Sequence, residues 1–178
     1  MTTNTVSNKP DFSRLVDQFG REIFAYLFRQ LAGAEEAEDC LQDTFLRAFR
    51  AYHRTEPDSN YRAWLYAIAT NVARTYFRQR QRQRAHERPL ESRDHAKGSG
   101  PAQIVERQLE QASVRRAIQS LPEKQRTALV LRKYQELSYA EIGQVIACSP
   151  DSARANVYQA LRSLRSELTA EGTEVGNG

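Results

Sequence analysis

Apolar residues return every three or four positions along most of this chain, while no stretch alternates strictly in the manner of a strand. That period belongs to the α-helix, so the expected fold is all-α. A first helix is expected from about Phe12 to Leu31, with Leu15, Phe19, Ile23, Tyr26 and Leu27 on one face and Gly33 as its stop. A second, from about Ala34 to Tyr52, turns Ala37, Leu41, Phe45, Ala48 and Tyr52 inward. Pro57 and Asp58 mark a loop, and a third, longer helix follows from about Tyr61 to Arg84. These three make an N-terminal helical bundle over residues 1–85.

The rhythm is lost between Ala85 and Gly100, where Arg, Glu, Pro89, Gly98 and Ser99 take over, a composition that cannot bury enough surface to fold by itself. Residues 86–103 are therefore expected to be a flexible linker. Pro101 suits a first helical turn, where its missing N–H is unpaired anyway, and Ile104, Val105, Leu109, Val114, Ile118 and Leu121 continue that helix up to Pro122. Helices from about Glu123 to Gln135, Ser138 to Ala147 and Pro150 to Ala170 complete a four-helix C-terminal domain over residues 104–170, with a frayed tail at 171–178. Both domains are small and each builds only a modest core.

Ser138 with Glu141 three residues on has the spacing of a capping box, so a helix starting at Tyr139 is strongly signalled. Ser149, Pro150, Asp151 and Ser152 leave room only for a short turn before the next helix, which is the layout of a helix-turn-helix. Ile142, Ile146 and Cys148 are expected to face inward, Gly143 to sit where the helices cross, and Ala153, Val157, Leu161, Leu164 and Leu168 to form the second helix's apolar stripe. Ser152, Arg154, Ala155, Tyr158, Gln159 and Arg162 then project outward from the half that enters the major groove in this motif. Arg pairs bidentately with guanine and Gln with adenine. The same residues also suit a plainly solvated helix, and the short turn and the small crossing residue favour the DNA reader.

The net charge of +4 says little until its distribution is considered. Acids crowd Glu35, Glu36, Glu38, Asp39 and Asp43, whereas Arg74, Arg78, Arg80, Arg82, Arg84, Arg88 and Arg93 make a basic stretch, so two kinds of partner are implied. On the third helix Leu65, Ile68, Ala69, Val72 and Tyr76 share one face, and Asn71, Arg74 and Arg78 another, with Trp64 nearer the second set. A tryptophan beside arginines suits opened DNA, through base stacking and phosphate contacts; a core ring in a small bundle is the other reading of Trp64. Asp39, Gln42, Asp43 and Leu46 form an acidic stripe on the second helix, either a solvated face or a protein interface, and Leu46 as an apolar anchor favours the interface.

Other classes find little support. Cys40 and Cys148 are far apart within helical patterns and read as small buried hydrophobes. No nucleophile arrangement, paired-carboxylate site or phosphate-cradling loop stands out, and His53, His86 and His95 lack ligand spacing, so no catalysis, metal or cofactor is expected. No apolar run approaches the roughly 20 residues a bilayer requires, and the N-terminus has no apolar leader core, which places the expected protein in the cytoplasm, away from membranes.

Four segments carry a resemblance: AEDCLQDTFLRA at residues 37–48, YRAWLYAIATN at 61–71, LPEKQR at 121–126 and LSYAEI at 137–142. In this order and spacing they resemble the extracytoplasmic-function group of bacterial sigma factors, over roughly Phe12 to Arg84 and Ile104 to Leu168. The resemblance implies that Asp39, Gln42, Asp43 and Leu46 dock on core RNA polymerase. It implies that Asn60, Arg62, Trp64, Asn71, Arg74 and Arg78 melt and read the minus-ten promoter element, with a base flipped into a protein pocket. It implies that Tyr139, Ser152, Arg154, Ala155, Tyr158, Gln159 and Arg162 read the minus-thirty-five element as duplex, while the linker runs toward the RNA-exit path. An anti-sigma factor is a further candidate partner, and on polymerase the protein would lie on the nucleoid. Thr55 stands where the family often has an aromatic, Thr75 where an aspartate is common, and Asp151 to Asn156 replace a frequent recognition-helix pattern, so promoter sequence does not transfer from relatives. A stand-alone helix-turn-helix regulator, with the N-terminal bundle as a dimerisation or sensing unit, is the alternative.

Overall fold

The computed structural model describes residues 9–31, 33–86 and 113–174, and all regular structure among them is helical. The helices are α1 (Phe12–Gln30), α2 (Ala34–Tyr52), α3 (Tyr61–His86), α4 (113–120), α5 (Glu123–Lys133), α6 (Tyr139–Ile146) and α7 (Pro150–Glu174). The expected linker past residue 86, the start of the fourth helix from Pro101 through Leu109, Arg88, Arg93, His95 and the last residues from 175 lie outside the described residues.

Local chemistry sets most boundaries. Asp11 caps α1 by accepting from the Ser13 N–H. Gly33 does not end α1: Leu31 is its C-cap, and Gly33, with extended φ of −134°, is the N-cap of α2, whose first-turn Glu35 and Glu36 complement the helix dipole. Helix α5 stops at Lys133, short of Gln135, because Glu136 takes a left-handed φ of 56° that turns the chain into α6. The expected capping box is present, with Ser138 and Glu141 bonding each other's backbone N–H. Helix α7 runs on to Glu174, so residues 171–174 are helical where a frayed tail was expected.

Two apolar stripes are rotated from expectation. On α2 the fully buried residues are Ala37, Cys40, Thr44 and Ala48, while Leu41, Phe45 and Tyr52 are only half-buried. Thr44 can be buried because its hydroxyl donates to the Cys40 carbonyl at 2.6 Å. On α7, Ala153, Val157 and Ala160 are buried and Leu161 is 41% exposed. At about 100° per residue, position 160 falls within roughly 20° of the line through 153, whereas 161 lies roughly 80° from it. Gly143 is needed at the α6–α7 crossing, since a Cβ there would stand 2.6 Å from the Cys148 carbonyl oxygen.

The two domains also pack against each other, α1 on α5 and α3 on α6. Tyr66, fully buried, donates to Gln135 Oε1 at 2.8 Å across this junction. Arg126 is buried in it, bonded to Gln119 O (2.9 Å) and Gln30 Oε1 (3.2 Å) and lying 4.7 Å from the Phe77 ring centroid. These partners are neutral, desolvation lowers the Arg126 pKa, and Gln30 Nε2, Gln119 Nε2 and Gln125 Oε1 are buried without a partner.

Candidate functional site

Helix α2 presents Asp39, Gln42 and Leu46 to solvent, with Asp43 half-exposed beside them. The Asp43 carboxylate pairs with Arg47 one turn on, at 2.8 Å. Leu46 is 56% exposed, and Phe49, which sequence reasoning passed over, extends the stripe at 64%. Its signal was the continued spacing of three after Leu46, obscured because Phe49 also fits an aromatic core. It does both: its ring lies 5.3 Å from that of Phe12. Exposed apolar groups continuing a polar stripe have the anatomy of a protein interface. Below them, burial followed by the charges of Asp43, Asp39 and Glu36 pushes the Cys40 thiol up to about 11, which leaves it unreactive.

Helix α3 places Trp64, Asn71 and Arg78 on one line, seven residues apart and spanning about 21 Å. The core reading of Trp64 holds in part. Its ring is half-buried against Tyr52 and Tyr61, each at 6.4 Å, and closes one end of an aromatic cluster. Asn71 and Arg78 are exposed. The remaining residues of this set are occupied. Asn60 caps α3, its Oδ1 accepting from Ala63 N at 3.0 Å, and its Nδ2 donates to Glu141 Oε1 at 3.0 Å. Arg62 grips Glu22 through Nε and Nη2, both at 3.0 Å, and donates from Nη2 to Gln135 O at 2.7 Å. Arg74 Nε meets Glu123 Oε1 at 2.5 Å. Three of the six residues are therefore held by α5, α6 or the turn between them, and carboxylates occupy positions that suit phosphates.

The C-terminal set stands clear. Ser152, Arg154, Ala155, Tyr158, Gln159 and Arg162 are all exposed on the first three turns of α7, Tyr158 at 70%. Two of them are locally engaged by side-chain bonds, Gln159 Oε1 accepting from Gln125 at 3.2 Å and Ser152 Oγ accepting from Ser149 Oγ at 2.9 Å. Tyr139 is half-buried at the start of α6, and its ring is flanked by Arg154 at 5.3 Å and Arg132 at 4.9 Å. Arg132 was not foreseen; its only sequence signal was a basic residue in the last turn of α5. The cationic pair around one tyrosine brings positive charge beside the exposed face of α7. The Glu141 carboxyl is held below its usual range, first by the Ser138 backbone N–H and then by the Asn60 and Ser138 side chains.

Among the described residues no group of three or more His, Cys, Asp or Glu side chains is placed to hold a metal, and no helix is long and apolar enough to cross a membrane.

Comparison with known proteins agrees with this layout. Residues 15–83 match the family model for sigma-70 region 2, and residues 111–164 that for sigma-70 region 4. The RNA polymerase sigma-H factor of Pseudomonas aeruginosa is 32% identical over 169 residues, covering 90% of this chain and 88% of the relative. The ECF RNA polymerase sigma factor SigW of Bacillus subtilis is 28% identical, covering 88% of each chain. In fold the chain is similar to the sigma factor RpoE of Bartonella quintana, solved in complex with the anti-sigma factor NepR, with a TM-score of 0.70 at 22% identity over 89% of this chain and 97% of that one. The N-terminal bundle is thus region 2, which does not favour the stand-alone regulator. With both regions matched in order and relatives aligned along nearly their whole length, this chain belongs to the extracytoplasmic-function group of the sigma-70 family, the sigma factors that bind core RNA polymerase and direct initiation at specific promoters.

Proposed function

We propose that this sigma factor works through three surfaces: the α2 stripe docks on core polymerase, the α3 line reads opened minus-ten DNA, and the N-terminal half of α7 reads the minus-thirty-five duplex. Asp39, Gln42, Asp43, Leu46 and Phe49 make the docking surface, in which the apolar pair supplies the anchor and the acids the rim. Trp64 offers a stacking face and Arg78 a phosphate contact, while Arg154, Tyr158, Gln159 and Arg162 meet base edges and phosphates. The protein supplies recognition and strand opening in the cytoplasm and leaves the bond-making chemistry to the polymerase.

The observation that carries this reading is the division of exposure: the docking stripe and the α7 readers face solvent, while Asn60, Arg62 and Arg74 are bonded across the domain junction. Reading the minus-ten element requires these bonds to be exchanged for contacts with DNA, so the two domains separate on the polymerase. An anti-sigma factor that grips both domains at once would hold the covered arrangement, and RpoE of Bartonella quintana was solved in complex with an anti-sigma factor.

Photocrosslinking from holoenzyme tests the assignment. A crosslinker at Tyr158 is expected to label the duplex upstream and one at Asn71 the opened strand downstream. Labelling of the same DNA segment by both would overturn it.

A further inference from the structure

The loop between α2 and α3 (residues 53–60) ends beside the aromatic cluster of Trp64, and its exposed tip is Glu56, Pro57 and Asp58. Its far side closes on itself, Ser59 N donating to Glu56 O at 3.1 Å and the Tyr61 hydroxyl donating to Glu56 O at 2.9 Å and Pro57 O at 3.2 Å. Its near side leaves the C-terminus of α2, where the Ala51 and Tyr52 carbonyls accept turn bonds from Arg54 N and Thr55 N at 3.0 and 3.1 Å and the negative end of the dipole still favours a cation. A residue from the other end of the domain meets that need. Lys9 donates from Nζ to the Tyr52 carbonyl and to the Thr55 carbonyl, the latter at 2.7 Å, and its ammonium lies 4.2 Å from the Tyr52 ring centroid. The Tyr52 hydroxyl in turn donates to the Pro10 carbonyl, so residues 9 and 10 and residues 52 to 55 clasp each other from both sides. Thr55 itself donates twice to the Tyr52 carbonyl, from its backbone N–H at 3.1 Å and from Oγ1 at 2.8 Å, but contributes no large side chain to wedge the rest of the loop in place.

The geometry points to Lys9 as a positioning residue for minus-ten selectivity: by tying the Tyr52 and Thr55 carbonyls together, its ammonium fixes the loop that leads into the Trp64 end of α3. The inference rests on the reading that this end of α3 meets the minus-ten element. A loop already held in its bound shape spends no binding energy on being ordered, and a wrong base cannot be accommodated by its rearrangement. Without the clasp the turn bonds from Arg54 N to Ala51 O and from Thr55 N to Tyr52 O remain, but the Thr55 carbonyl is released, the loop beyond it gains freedom, and right and wrong bases are treated more alike.

The test uses the full chain with core polymerase, and compares transcript yield from a responsive promoter with yields from its single-base variants through the minus-ten element. Lys9→Met removes both bonds and is expected to lower the ratio of matched to mismatched transcription roughly tenfold, the effect of losing bonds from a charged donor. Lys9→Arg, which still reaches two carbonyls, is expected to restore most of it. Thermal unfolding of each variant verifies that the helices are intact, and Lys9→Gln, with one donor group, supplies an intermediate ratio if Lys9→Met is unstable. An unchanged ratio for Lys9→Met overturns the inference. So does an equal loss on every template, which marks a structural or phosphate-holding lysine. If the wild-type protein itself shows no promoter preference, the underlying reading fails instead.

Discussion

Tyr66→Phe isolates the domain junction from the fold of either domain. The ring is fully buried and meets Tyr26 edge-on at 5.2 Å, contacts that phenylalanine keeps. What is lost is the bond from the hydroxyl to Gln135 Oε1 at 2.8 Å, with Gln135 only 5% exposed. In the covered arrangement the carboxamide oxygen then has no donor, whereas in the separated arrangement water supplies one. Leaving a buried acceptor unsatisfied costs about 1–3 kcal/mol, and the cost falls on the covered state alone, shifting the equilibrium roughly 5- to 150-fold toward separation. Dyes at the exposed Gln18 and Arg165 report the two populations by single-molecule energy transfer. The separated population is expected to grow by that factor, and affinity for core polymerase to rise to the extent that the covered state competes with binding. An unchanged distance distribution in a folded Tyr66→Phe protein would refute the claim that this bond helps to hold the domains together.

Other perturbations report on the separate surfaces. Arg154→Ala is expected to cost about 1–3 kcal/mol of discrimination within the minus-thirty-five element, read as promoter competition, with minus-ten selectivity unchanged. Asp39→Ala should leave binding of duplex minus-thirty-five DNA by the isolated protein intact and weaken pull-down of core polymerase; normal pull-down removes Asp39 from the docking surface. Gly143→Ala forces a Cβ to 2.6 Å from the Cys148 backbone oxygen and is expected to destabilise the C-terminal domain by about 1–3 kcal/mol in urea unfolding. Because the folded-state pKa of Glu141 is depressed, its contribution to stability is present at neutral pH and is lost as pH falls through that lowered value. Glu141→Gln should therefore be less stable than wild type at pH 7, with the gap closing in acid; a gap independent of pH would show that the carboxylate charge contributes nothing.

Much of the fold was legible because helical periodicity and capping chemistry are local. Ser138 and Glu141 announced α6, and Gly143 announced the close crossing, from residues a few positions apart. The exposure of Ser152, Arg154, Ala155, Tyr158, Gln159 and Arg162 on α7 followed from the same periodicity. Where a stripe was misjudged, a small or self-satisfying side chain stood at the centre of the contact: Ala160 in place of Leu161, and Thr44 with its hydroxyl turned back on its own helix. What the chain does not display in sequence is long-range pairing. Nothing near Arg62 suggests Glu22 or the Gln135 carbonyl, nothing near Arg74 suggests Glu123, and nothing near Thr55 suggests Lys9, since these partners are brought together only by packing. Asn60, Arg62 and Arg74 could thus be put forward as candidates from sequence, while their occupation by the other domain could not.

The most direct test of the account is run-off transcription with core RNA polymerase from the source organism on a library of its promoters, with and without this protein. The account predicts transcripts starting at a defined subset of sites only when the protein is present, and loss of those transcripts when Leu46 and Phe49 are both replaced by alanine. Core polymerase that gains no promoter-specific start sites, while the protein alone protects a symmetric duplex operator, would contradict it.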